Sequence, residues 1–183
     1  MSEIFVTNAT QNDVEAIGHL YRAVASIEGG LARTVYEITD DYVDHFVSKA
    51  LENGLIIIAK TDDGTIVGEI HGYALGPRVF SHLLGELTIA VHPDFQGIGA
   101  GKALFNEFMR QVNQDRPDIL RVELIARESN AKAIKFYEKL GFVIEGRLQR
   151  RIRSVGSGFE ADIPMAWLRD CYKKIPDKII FVK

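Results

Sequence analysis

The sequence of 183 residues holds one cysteine, Cys171, which excludes an internal disulfide and any thiolate-built metal cluster. Sustained apolar sequence is equally scarce. The longest uninterrupted run, Leu55 to Ala59, is far short of the roughly 20 residues that span a bilayer, so no membrane partner is expected. There is no excess charge of one sign: 22 Lys+Arg against 25 Asp+Glu give a formal net charge of −3. That balance is too even for a protein that grips nucleic acid through surplus cations, and nucleic acid is not expected as a partner. Met1-Ser2-Glu3 shows no basic segment leading into an apolar stretch, so no secretory signal is expected. Linker-like composition and internal repeats are also missing. What is present is 46% hydrophobic residues, enough for one sizeable core. The expectation is a reduced, cytoplasmic, single domain over residues 1–168 with a polar tail over 169–183.

Periodicity gives the element order. Glu3 to Thr7 reads as an opening strand, and Val14, Ile17, Leu20, Tyr21 and Val24 recur at helical spacing after the capping residues Thr10 to Asp13. A second helix fits Asp40 to Asn53, with Tyr42, Val43, Phe46, Val47, Ala50 and Leu51 as its stripe and Gly54 as its stop. Leu55–Lys60 and Thr65–Leu75 flank the turn Asp62-Asp63-Gly64 as a hairpin. Glu86 to Val91 is a strand, and a helix with Ala103, Leu104, Phe108 and Val112 inward follows a glycine-rich loop. Arg121 to Arg127 is a strand. Asn130 starts a helix carrying Ala133, Ile134, Tyr137 and Leu140, stopped by Gly141. Phe142–Ile152 and Phe159–Trp167, joined by Ser154 to Gly158, read as a final hairpin. The order β-α-α-β-β-β-α-β-α-β-β gives an α/β mixed sheet.

The loop Gln96-Gly97-Ile98-Gly99-Ala100-Gly101-Lys102 carries chemistry. Alternating glycines between a strand and a helix expose consecutive backbone N–H groups, let an anion approach the chain, and add the positive end of a helix dipole. A phosphate cradle is the expectation; a turn serving only chain geometry is the alternative. The P-loop pattern fails, with Gln96 where its first glycine belongs and Ala103 where it needs a hydroxyl. The dinucleotide pattern is weak, because its third glycine falls on Lys102.

Gln96-Gly97-Ile98-Gly99-Ala100-Gly101 resembles the [QR]-x-x-G-x-[GA] signature of the GCN5-related N-acetyltransferase (GNAT) superfamily. Leu87 to Pro93 is similar to that family's central strand and its V-x-P exit, and Asn130 to Phe142 to its N-x-x-A-x-x-x-Y-x-x-x-G-F segment. The resemblance implies a mixed, mostly antiparallel sheet flanked by helices and an enzyme that moves an acetyl group from acetyl-CoA to a primary amine by direct attack. It implies that the backbone of Gln96, Gly97, Ile98, Gly99, Ala100, Gly101 and Lys102 holds the pyrophosphate. It further implies that Ile89, Ala90 and Val91 pair with the pantetheine arm, that Asn130 contacts the cofactor, and that Tyr137 protonates the departing thiolate. A homodimer through the late strands is common in the family. The competing class is a non-catalytic acyl-CoA-binding module.

The residues can be set against the needs of such a reaction. Alkyl amines have pKa values near ~10.4 and α-amines near ~7.7–8.0, so some group should accept a proton before attack. Glu86 is the first choice; Glu69, Glu123, His71, His82 and His92 are rivals, and a solvated or salt-bridged role is open for each glutamate. Some relatives carry a glutamate two residues beyond Glu123, where this chain has Ile125. By periodicity alone Tyr137 reads as a core aromatic beside Ile134 and Leu140. The histidine spacing fits no metal template, and no metal is expected. Gly76–Leu84 and Glu28–Tyr36 are expected to shape acceptor choice, the acceptor being a small amine or a protein amine. The run Arg147, Arg150, Arg151 and Arg153 suits an acidic acceptor, a cofactor phosphate, RNA, or a solvated face balanced by Glu160, Asp162 and the helix Asp40 to Asp44.

Overall fold

Two faces of one strand, built from alternate residues of opposite size, explain how the first half of the chain is layered. The computed structural model describes residues 3–27, 29–154 and 158–169. Glu28, the expected turn residues 155–157, Cys171 and the expected tail past Arg169 lie outside the described residues. The chain divides into two compact units, Met1–Pro117 and Asp118–Lys183.

In the first unit, β1 (Ile4–Asn8), β2 (Gly54–Thr61), β3 (Ile66–Tyr73) and β4 (Leu83–Val91) pair antiparallel in that order. Helices α1 (Val14–Ala25), α2 (Asp40–Asn53) and α3 (Ala100–Gln114) cover the sheet. Glu69 and His71 of β3 meet Tyr21 of α1 and Phe46 of α2. The alternate residues are glycines: a Cβ on Gly68 would stand 2.8 Å from Leu104 and one on Gly72 3.2 Å from Phe108. Since successive side chains point to opposite faces, α1 and α2 lie on one side of the sheet and α3 on the other. Ile17, Leu20, Tyr21 and Val24 pack with Val43, Phe46, Val47, Ala50, Ile56 and Ile58 as the core of the first face. Thr39 caps α2 by accepting from the Tyr42 N–H at 3.2 Å. Gly54 ends that helix where a Cβ would fall 2.2 Å from the Gly72 carbonyl oxygen, so only glycine lets β2 close on β3 there.

In the second unit, β8 (Gly158–Leu168) pairs antiparallel with β5 (Arg121–Arg127), with β6 (Val143–Ile144) and with β7 (Leu148–Ser154). Helix α4 (Ala131–Lys139) follows β5. Val122, Leu124 and Ala126 are buried while Arg121, Glu123, Ile125 and Arg127 are not, the alternation expected for β5.

Several expectations need correction. The strand expected from Glu86 begins at Leu83, so Glu86 lies inside β4 and does not open it. Ala103 and Leu51 are exposed, and Phe105 and Met109 fill the inner face of α3 instead. The strand expected over Phe142–Ile152 is broken into β6 and β7, both paired with β8, which adds one strand to the expected order. Arg150, at φ +55, kinks β7 where its register with β8 shifts. The arginine run is balanced in part as expected, Arg151 pairing with Asp162; Arg147 instead pairs with Glu128, and Asp40 of α2 pairs with Arg22.

Candidate functional site

At the end of β4, a 3-10 turn over Pro93–Phe95 leads into the glycine loop. The Gln96 side chain donates to the Val91 carbonyl at 3.0 Å, tying the loop to the strand it leaves. Gly97 and Gly99 have φ of +77° and +101°, the left-handed region that side chains with a Cβ avoid. A Cβ at either position would meet nothing within 4 Å, so the glycines serve backbone conformation and leave the space above the loop open. Gly99 caps α3, and the first helical bond runs from the Ala103 N–H to the Gly99 carbonyl at 2.9 Å. Among the described residues, nothing accepts from the main-chain N–H groups of Gly97 to Lys102. Those free donors at a helix start are what a phosphate needs.

Upstream on the same strand, β4 carries a bulge. His71 faces Thr88 and Tyr73 faces Gly85, so Gly72 alone opposes Glu86 and Leu87. Glu86 takes φ +51°, a conformation that costs a residue other than glycine on the order of 1–2 kcal/mol. Its side chain is exposed, and its charge reaches two tyrosines. Burial raises the pKa of Tyr73, with Glu86 adding to the shift. Burial also raises that of Tyr42, opposed by Arg33, whose guanidinium lies 4.2 Å over the Tyr42 ring, and assisted by Glu69 and Glu86. Strain at a bulge beside aromatic and charged side chains is typical of working positions. The sequence marks Glu86, and Arg33 falls within the segment Glu28–Tyr36 expected to shape acceptor choice, whereas Tyr42 and Tyr73 carry no motif.

The rival groups have partners of their own. Glu123 pairs with Arg121, itself held by Glu145. His92 Nδ1 accepts from the Asp94 N–H at 3.3 Å and shapes the turn. Glu69 and His71 are buried together with Tyr21: the Tyr21 hydroxyl donates to Glu69 Oε2 at 2.6 Å, and His71 Nδ1 lies 3.0 Å from Glu69 Oε1. No metal-binding group of His, Cys, Asp or Glu occurs among the described residues.

In the second unit, Asn130 is the N-cap of α4, its Oδ1 accepting from the Ala133 N–H at 3.1 Å. That bond uses the side-chain oxygen and leaves the amide's N–H₂ as its remaining donor. Tyr137 is partly buried, with its ring centroid 5.7 Å from Phe136 and 6.1 Å from Phe142. Burial raises its phenol pKa above the ordinary value. Gly141, at φ +90°, ends the helix one residue before Phe142, whose N–H donates to the Tyr137 carbonyl at 3.1 Å.

Over 97 residues the chain is 30% identical to an uncharacterized N-acetyltransferase, ycf52, of Pyropia yezoensis, covering 53% of each. Over 118 residues it is 31% identical to the catalytic subunit NAA20 of the N-terminal acetyltransferase B complex of Arabidopsis thaliana, covering 64% of this chain and 65% of that one. The matched region thus spans between half and two thirds of these relatives' length. A solved structure from Acinetobacter baylyi ADP1 superposes with a TM-score of 0.80 at 16% identity, covering 93% of this chain and 94% of that one. A Salmonella typhimurium structure solved with its cofactor acetyl-CoA gives 0.73 at 17%, covering 91% and 94%. At such identities the likeness shows the fold: α/β, with a mostly antiparallel mixed sheet flanked by helices. Residues 21–142, from within α1 through the glycine loop to the end of the Asn130–Phe142 segment, match the model of one family, and the chain is a member of the acetyltransferase (GNAT) family.

Proposed function

We propose that the protein is an acetyl-CoA-dependent N-acetyltransferase that passes the acetyl group directly to a primary amine. The observation that carries this reading is the run of unbonded N–H groups from Gly97 to Lys102 at the start of α3, in a chain of this family whose fold is shared by a structure solved with acetyl-CoA. Those donors hold the pyrophosphate, with Gln96 keeping the loop in register. Ile89, Ala90 and Val91 offer main chain to the pantetheine arm, and Asn130 offers its amide hydrogens to the cofactor.

The acyl donor supplies a thioester carbonyl; the chain must handle protons. Glu86, exposed and strained at the β4 bulge, draws the ammonium group to the Tyr42–Tyr73 face by its charge. Tyr137, whose phenol pKa burial raises, delivers a proton to the thiolate as it leaves. Cys171 has no part in a direct attack. Protein N-termini head the acceptor panel because a relative is named for that reaction. Lysine, polyamines and free amino acids complete it.

Two measurements test the reading. Calorimetry with acetyl-CoA should register binding, and mass spectrometry of the amine panel should show at least one product heavier by an acetyl group. Heat without any product would identify a non-catalytic acyl-CoA-binding module. The absence of heat with folded protein would remove the transferase reading altogether.

A further inference from the structure

The most unusual polar group of the first unit lies under the proposed acceptor face. Glu69 is fully buried and His71 is 2% exposed, both on the side of β3 that faces α1 and α2. Tyr21 reaches them from α1. Its hydroxyl donates to Glu69 Oε2 at 2.6 Å and lies 3.3 Å from His71 Nδ1, which is 3.0 Å from Glu69 Oε1. Phe46 of α2 stacks on the imidazole at 4.3 Å between centroids, and Tyr73 lies parallel to it at 6.1 Å.

The bonds fix the tautomer. The Tyr21 hydrogen is committed to Glu69 Oε2, which leaves Oε1 to accept from His71, so Nδ1 carries the hydrogen and Nε2 has the lone pair. Among the described residues every bond of His71 runs through Nδ1, and none of their buried side-chain nitrogens or oxygens is orphaned. Nε2 therefore keeps a small surface open to solvent, although the residue as a whole is 2% exposed. A histidine buried only for packing would have both nitrogens satisfied. One nitrogen locked by a carboxylate and the other left open is how a protein prepares an imidazole to take a proton, because the carboxylate stabilises the imidazolium that forms.

The surroundings connect this group to the acceptor face. The ionisable groups that touch His71 are Glu69 and Tyr73 on its own strand and Tyr21 on α1; Tyr42 of α2 packs on Phe46, and the charge of Glu86 on β4 reaches Tyr73 and Tyr42. Arg33 stands over Tyr42. Tyr73 is the common neighbour: its ring lies parallel to His71 and it feels the charge of Glu86. Histidine is also the side chain whose ordinary titration lies nearest neutrality, the condition for an efficient proton acceptor at neutral pH.

We propose that His71, oriented by Glu69 and Tyr21, is the proton acceptor for the incoming amine. The inference rests on the amine acetyl transfer proposed above. The acceptor's ammonium N–H bond breaks and an Nε2–H bond forms; the imidazolium is held by the Glu69 carboxylate and later returns its proton to solvent. Glu86 then gathers the ammonium group at the bulge, while His71 removes its proton.

The test is the pH dependence of kcat/KM, using the best acceptor from the amine panel and acetyl-CoA as donor. The wild type should rise through a single acidic limb to a plateau. His71→Asn keeps an N–H for Glu69 and lacks Nε2. It should lower kcat/KM at pH 7 by about 10²-fold, within the range ascribed to general bases, and keep rising with pH toward the amine's own pKa. Its calorimetric affinity for acetyl-CoA should stay within about twofold. Glu69→Gln, which removes the charge that holds the imidazolium, should move the limb to lower pH, a change that a packing role would not cause. A His71→Asn profile with the wild-type limb overturns the proposal. Should that variant not fold, ¹⁵N NMR of the wild-type imidazole decides: a bare Nε2 with hydrogen on Nδ1 supports it, and the opposite tautomer overturns it. Failure of the transferase reading is separable, since it shows as wild-type protein that acetylates nothing, and the NMR result still stands on its own.

Discussion

Glu86 keeps a left-handed backbone conformation in the middle of a strand, where glycine would sit without strain. Glu86→Gly should therefore stabilise the fold by about 1 kcal/mol in a urea titration while lowering turnover. A variant that is both less stable and fully active would show that the bulge serves packing alone. Tyr137 allows a cleaner separation of binding from chemistry. Tyr137→Phe keeps the ring between Phe136 and Phe142 and loses only the hydroxyl. Turnover should fall about 10-fold or more with acetyl-CoA affinity nearly unchanged, measured where chemistry limits the rate. Equal turnover would remove Tyr137 from the acid role. Both residues were legible as candidates in the sequence. Their environments were not, because neither the bulge opposite Gly72 nor the burial of Tyr137 leaves a mark in local composition.

Among the elements, β5 and its neighbours within the second unit form a small network of charge. Arg121 Nη1 donates to Glu145 Oε1 at 2.9 Å, and its guanidinium also contacts Glu123. The Arg121 hydrogen bond holds the Glu145 carboxyl below its usual range. Because the folded pKa is depressed, the stabilisation is present above the unfolded value of 4.5 and is lost as pH falls through the folded one. Glu145→Gln should cost under about 1 kcal/mol at pH 7, as expected for a partly exposed pair, and nothing once both forms are protonated. Chemical denaturation at the two pH values checks this. Helix and strand existence followed from periodicity, since α2 ends at Gly54 and β5 spans Arg121–Arg127 as expected. The late strands did not. Phe142 to Ile152 has continuous strand-like sequence, yet the pairing of both β6 and β7 with β8 interrupts it.

For the molecule as a whole, a ligand that binds only the folded state stabilises it by mass action. Acetyl-CoA at about 100 times its dissociation constant should add about 2.7 kcal/mol and raise Tm by about 5–10 °C for a chain of this size. An unchanged Tm at that excess, in protein that calorimetry shows to bind, would mean that the unfolded chain binds as well.

The sequence by itself determined the family, the order of most elements and the glycine loop, because each rests on contiguous residues: alternating glycines, 3.6-residue periodicity, a strand running into a helix. The tertiary structure decided what depends on residues far apart in the chain. Tyr21, Glu69 and His71 come from α1 and β3, and only packing places them within hydrogen-bond distance. The bulge opposite Gly72 likewise belongs to the pairing of two strands and to neither alone. Burial and strain arise from such meetings, and they turn an ordinary histidine and glutamate into candidates for chemistry.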